Sequence, residues 1–190
     1  MRLPSLILLL AMSALTAGEP TDPLVAGPKI VAEAFGQLSA ALGAAVADGG
    51  PAKALPVCRE RAPAITAQVA EAHGVKLGRA SAKPRNPKNS ATEDERTVLA
   101  EFAAVLAKGK TPRPVVRTAP DGSRTFFAPI VLANPLCLQC HGKPGADISE
   151  ATQAAIRAGY PEDRATGYKL GELRGLWRVT FAGTQSPQSR

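Results

Sequence analysis

The chain has 190 residues, a formal net charge of +7 from 23 Lys and Arg against 16 Asp and Glu, and three cysteines. That length suits one domain with a substantial core rather than two large ones, and an odd cysteine count does not build a disulfide framework. Nucleic-acid binding is set aside, because the basic run Lys76, Arg79, Lys83, Arg85 and Lys88 has no aromatic between its members on which bases could stack.

Met1-Arg2, an apolar stretch over 3–15 and the small residues Ala17 and Gly18 read as a secretory signal peptide spanning 1–18. The stretch is shorter than the ~20 residues that a membrane span needs, and no later segment is expected to be apolar enough to cross a bilayer. The mature chain is therefore expected to be soluble and periplasmic, with one domain over 19–183 and a polar, disordered tail over 184–190. Without Arg2 it keeps a net charge of about +6, which suits an acidic partner.

After a proline-rich leader, Ile30, Val31, Ala34, Leu38, Leu42 and Ala45 keep one apolar face at helical spacing, predicting a first helix over 24–47. Asp48-Gly49-Gly50-Pro51 ends it. Leu55, Cys58, Ala62, Ile65, Val69 and Ala72 form the stripe of a second helix that closes at His73-Gly74, with Cys58 facing inward. Pro56 and Pro63 lie in this segment, so the helix either starts late near Pro56 or bends near Pro63.

A short strand is expected over 75–79, and a loop over 81–90, where Pro84-Arg85-Asn86-Pro87 opposes helix. Thr92 and Glu95 have capping-box spacing ahead of a third helix, whose buried face is Val98, Leu99, Phe102, Val105 and Leu106 and whose end is Gly109. Segments 114–118 and 125–132 flank Pro120-Asp121-Gly122-Ser123 as a hairpin. Ser149 can cap a short helix through 157, and 176–181 reads as a last strand. Helices first, then mostly antiparallel strands, predict an α+β domain.

Cys137-Leu138-Gln139-Cys140-His141 is the C-x-x-C-H pattern of covalent haem c attachment. Two thiols three residues apart add to the two vinyl groups on one porphyrin edge, and the next histidine is held beneath the iron. A thioredoxin-like redox pair would leave His141 unused, and a zinc site lacks a second ligand pair. With haem as cofactor, the basic run is a solvated face on the plain reading; the sharper reading offers it to an anionic redox partner or to the haem propionates.

For the iron's other axial position the composition leaves few donors. Met1 and Met12, the sole methionines, lie in the leader, so the candidates are His73 and Cys58. They are fifteen residues apart, about 22 Å along a continuous helix, so one iron can take only one of them. Cys58 lies on the buried stripe, where a small buried hydrophobe is the competing account. His73 sits at a helix end, the ordinary place for a surface histidine.

Several segments together resemble the single-haem c-type cytochromes with a PAS-like fold, found alone or as sensor parts of signalling receptors. They are 54–58 with 62–65, then 85–89, Phe127-Ala128-Pro129-Ile130, the motif with Gly142, 160–168, and Gly171-Glu172-Leu173-Arg174-Gly175. The resemblance implies a PAS-like antiparallel sheet with flanking helices, and iron held axially by His141 and Cys58. Many relatives continue into a membrane helix or kinase; nothing follows here, so a built-in output domain is not expected. A thiolate ligand implies a low-potential, six-coordinate, low-spin haem serving electron transfer or redox response. The alternative is a sensor of nitric oxide or carbon monoxide, in which reduction releases Cys58. A peroxidase ranks last, since only His73 could supply a distal histidine. PAS-like modules often pair, so a homodimer through helix 24–47 is an open expectation.

Overall fold

The computed structural model describes residues 21–183; the expected signal peptide (1–18) and polar tail (184–190) lie outside the described residues. Helix α1 (Pro23–Pro56) starts where Asp22 accepts a hydrogen bond from the Leu24 amide at 2.9 Å, with Pro23 in the first turn, where no amide proton is needed. It is two helices in practice. Gly49 (φ −165°) and Gly50 (φ 75°) leave helical geometry between them, at the expected break, and Gly50 adopts a left-handed conformation that a side chain resists.

Past that break the chain winds helically again from Pro51, earlier than Pro56, and runs through a π-helical turn (Val57–Arg61) into α2 (Ala62–Ala72). The turn is the chain's answer to Pro63. A proline ring clashes with the carbonyl four residues back, here that of Arg59, and widening the turn relieves the clash. The Ala62 amide then bonds back to the Val57 carbonyl, five residues earlier.

Four strands form one antiparallel sheet in the order β1-β4-β3-β2: β1 (Lys76–Ala80), β2 (Val115–Thr118), β3 (Arg124–Val131) and β4 (Leu173–Phe181). β4 begins three residues before its expected start, because Leu173 still pairs with Val131 across an irregularity at Ile130/Val131. Alternation gives the sheet two apolar faces. On one, Phe126, Trp177, Val179 and Phe181 pack against Ile30 and Ala34 of α1 and Val69 of α2. On the other, Ala80, Phe127 and Leu176 meet Val98, Leu99 and Phe102 of α3 (Glu93–Ala107). The expected α+β architecture, N-terminal helices followed by an antiparallel sheet with flanking helices, is the one observed.

The capping box is complete: Thr92 Oγ1 accepts from the Glu95 amide and Glu95 Oε2 accepts from the Thr92 amide at 2.9 Å. Two short helices complete the chain, α4 (Leu138–His141) and α5 (Glu150–Gly159), the second capped by Ser149 as expected. One expectation is corrected. The helical run Pro23–Ala72 contains a window long and apolar enough, by length and composition alone, to cross a membrane, and only 11% of that window is buried. Alanine-rich helices reach such values without bulky side chains, which is why the segment read as merely amphipathic.

Candidate functional site

The C-x-x-C-H segment is folded as two tight turns. Asn134 accepts a hydrogen bond from the Leu136 amide at 2.9 Å and opens the 3-10 turn Pro135–Cys137, and the single-turn α4 carries Cys140 and His141. Gly142 stops it. A Cβ at that position would stand 2.5 Å from Asp147 Cβ and 2.7 Å from the Leu138 carbonyl oxygen, so the backbone reversal needs glycine. Both motif cysteines are half-buried: Cys137 packs against the cluster of Leu132, Ala165 and Tyr168, and Cys140 against that of Leu55, Ile148, Ile156 and Tyr160.

His141 Nδ1 lies 2.7 Å from the Ala165 carbonyl oxygen. A carbonyl only accepts, so Nδ1 carries the ring proton and Nε2 keeps its lone pair for a metal. The segment that supplies this carbonyl is tied to the motif twice more, Tyr168 N donating to His141 O at 2.9 Å and Gly167 N to Gly142 O at 2.7 Å. The Tyr168 ring stands edge-on to the imidazole, centroids 6.4 Å apart. Burial, then the positive charges of Arg85 and Arg174, push the His141 imidazole down to about 3, so it is neutral and able to coordinate at physiological pH.

Behind the motif lies a buried ion pair. Arg85, 8% exposed, donates from Nε to Asp163 Oδ1 at 3.0 Å and from Nη2 to the Cys140 carbonyl at 2.5 Å. Asp163 Oδ1 also accepts from the Ala165 amide at 3.0 Å. One guanidinium thus fixes the loop over 81–90, the haem-type motif and the segment that orients His141. This corrects the plain reading of the basic run as a solvated face: Lys76, Lys83 and Lys88 are exposed, but Arg85 is buried and Arg79 half-buried over the Trp177 ring at 5.4 Å. Sequence reasoning gave Asp163, Ala165 and Arg174 no role; the one available signal was Arg85 itself, an arginine fixed between Pro84 and Pro87.

Cys58 stands on the π-helical turn, half-buried, one turn beyond Leu55, which shares a cluster with Cys140 and Tyr160. Burial raises its thiol pKa while Arg85 and Arg79 pull it down, and its charge in turn raises that of Cys140. Cys58 thus follows Leu55 along the helical run that packs beside Cys140. His73 is elsewhere: its Nε2 pairs with Glu33 at 2.8 Å, on the rim of a shallow cavity of about 310 Å³ lined by Ile30, Val75, Arg124 and Phe181, with no motif residue. Among the described residues no three His, Cys, Asp or Glu side chains group together to hold a metal ion.

The Tll0287-like family model matches residues 12–182. The chain belongs to this family. Its fold is similar to that in the crystal structure of the cyanobacterial haem protein Tll0287, at 25% identity and a TM-score of 0.59, covering 87% of this chain and 99% of that one. No curated protein matches. Membership in the Tll0287-like family agrees with the resemblance read from the motifs.

Proposed function

We propose that this chain is an exported, single-haem c-type cytochrome of low potential, acting in electron transfer or redox response in the periplasm. Cys137 and Cys140 would form the thioethers, His141 Nε2 and the Cys58 sulfur the axial bonds. The observation that carries this reading is the His141 tautomer: with Nδ1 committed to the Ala165 carbonyl, the lone pair on Nε2 is left free beside two half-buried thiols. Likeness to a solved haem protein supports it. When bound, the haem supplies one-electron chemistry; the protein's own part is to orient the imidazole, keep it neutral, and present a thiolate.

The test is mass and visible spectroscopy of protein exported from a host with haem-attachment machinery. The expected result is one haem mass that survives acidified organic solvent and a ferric low-spin spectrum. Cys58→Ser should keep the mass and lose the thiolate features. Colourless protein, or pigment extracted by acid solvent, refutes covalent attachment.

One observation favours sensing of a diatomic gas as a second reading. Cys58 is carried by a π-helical turn, a rare element that often marks functional positions and that would let the sulfur depart when reduction weakens an iron–sulfur bond. Carbon monoxide binding to the reduced protein supports it; failure to bind removes it.

A further inference from the structure

A metal-bound histidine ordinarily donates its outer N–H to a carboxylate or carbonyl, which makes the ring more basic and stabilises the oxidised metal. Here the Ala165 carbonyl fills that role, and a positive charge stands beside it. Arg174 of β4 places Nε 3.4 Å from His141 Nδ1. Because Nδ1 already spends its proton on Ala165 at 2.7 Å, this approach is no hydrogen bond to the ring but a guanidinium pressed against it.

The guanidinium is firmly held. Arg174 Nη1 donates to Ser81 Oγ at 2.8 Å and to the Lys83 carbonyl at 3.2 Å, Ser81 Oγ donates back to the Arg174 carbonyl at 2.8 Å, and its Cζ lies 5.6 Å over the Tyr168 ring. No carboxylate pairs with it among the described residues, in contrast to Arg85, which Asp163 neutralises at 3.0 Å. Half-buried arginine without a counter-charge is costly to keep, and charge in a partly desolvated site acts more strongly than at the surface. The other cation on the Tyr168 ring, Lys83 Nζ at 4.8 Å, is an exposed side chain with no contact to the imidazole.

We propose that Arg174 is a positioning residue that raises the reduction potential of the iron held by His141, drawing electron density from the imidazole against the push of the Cys58 thiolate. The inference rests on the haem reading above. In the redox step one electron passes from a one-electron donor to ferric iron; no protein bond breaks, no proton moves, and Arg174 keeps its charge.

The test is spectroelectrochemistry of the haem-loaded full chain. In Arg174→Gln the ratio of reduced to oxidised protein at a fixed ambient potential should fall about tenfold, a downward shift of about 59 mV for one electron. Arg174→Lys should retain most of the wild-type ratio, and Lys83→Gln should change it less than twofold. A ratio unmoved or raised in Arg174→Gln, or an equal fall in Arg174→Lys, overturns the inference. If Arg174→Gln does not load haem, Ser81→Ala is read in its place: loss of the anchoring hydroxyl should lower the ratio in the same direction by a smaller factor, and no fall overturns the proposal. Wild-type protein that takes up no haem overturns the parent reading together with this one, whereas loaded protein with an unmoved potential overturns this one alone.

Discussion

Removing the Arg85 guanidinium should be the most damaging single change near the motif. Arg85 and Asp163 are paired with side chains only 10% and 8% exposed. Arg85→Ala leaves a buried carboxylate without its counter-charge and strips donors from the Cys140 and Ala165 carbonyls, whose distances to Nη2 are 2.5 and 3.4 Å. Breaking a buried pair from one side costs about 3–5 kcal/mol. At 2–4 °C per kcal/mol for a domain of this size, the melting temperature should fall by roughly 10 °C. Arg85→Lys keeps the charge but loses the fork that reaches Asp163 and Cys140 together, and should recover only part of the loss. Urea unfolding of the haem-loaded protein, followed by far-ultraviolet circular dichroism, measures this, with Asp163→Asn and the double variant closing a cycle. The two single losses should exceed the double loss by more than about 0.5 kcal/mol, the range expected for residues in contact. A loss below about 1 kcal/mol for Arg85→Ala, or strict additivity with Asp163→Asn, would refute the view that this pair braces the site.

Three further outcomes are expected. Thr92→Ala removes one half of the capping box of α3 and should cost about 1 kcal/mol in urea unfolding with no change in the visible spectrum. Gly27→Ala would drive a Cβ to 2.5 Å from Phe126 Cγ where α1 crosses the sheet, and a loss of about 1–3 kcal/mol should appear in the same assay. Gly142→Ala sets its methyl against Asp147 and the Leu138 carbonyl, so a lower yield of covalently attached haem per chain, read by mass spectrometry, is the predicted signature.

What could be read from the sequence was what is local. The capping pair Thr92/Glu95, the hairpin around 120–123 and the double-glycine break at Gly49 and Gly50 each declare themselves within a few residues, and the structure places all three as expected. The C-x-x-C-H turn is local for the same reason. The bracing of that turn is not. Arg85 and Asp163 are 78 positions apart, and beyond the prolines that flank Arg85 nothing in either neighbourhood distinguishes a buried pair from two solvated charges. Arg174 hid within Leu173-Arg174-Gly175, a weak strand signal that pairing across the β3 irregularity recruits into β4. The π-helical turn was visible only as a conflict, two prolines inside an otherwise helical stripe, without the geometry that resolves it.

That resolution leaves the Cys58 sulfur open to the smallest of genetic events. Deleting a single codon between 57 and 61 would remove the surplus residue that the wide turn absorbs and press the Pro63 ring back against the carbonyl four residues before it. The same protein, one residue shorter, would lose the local geometry on which the direction of its thiol depends.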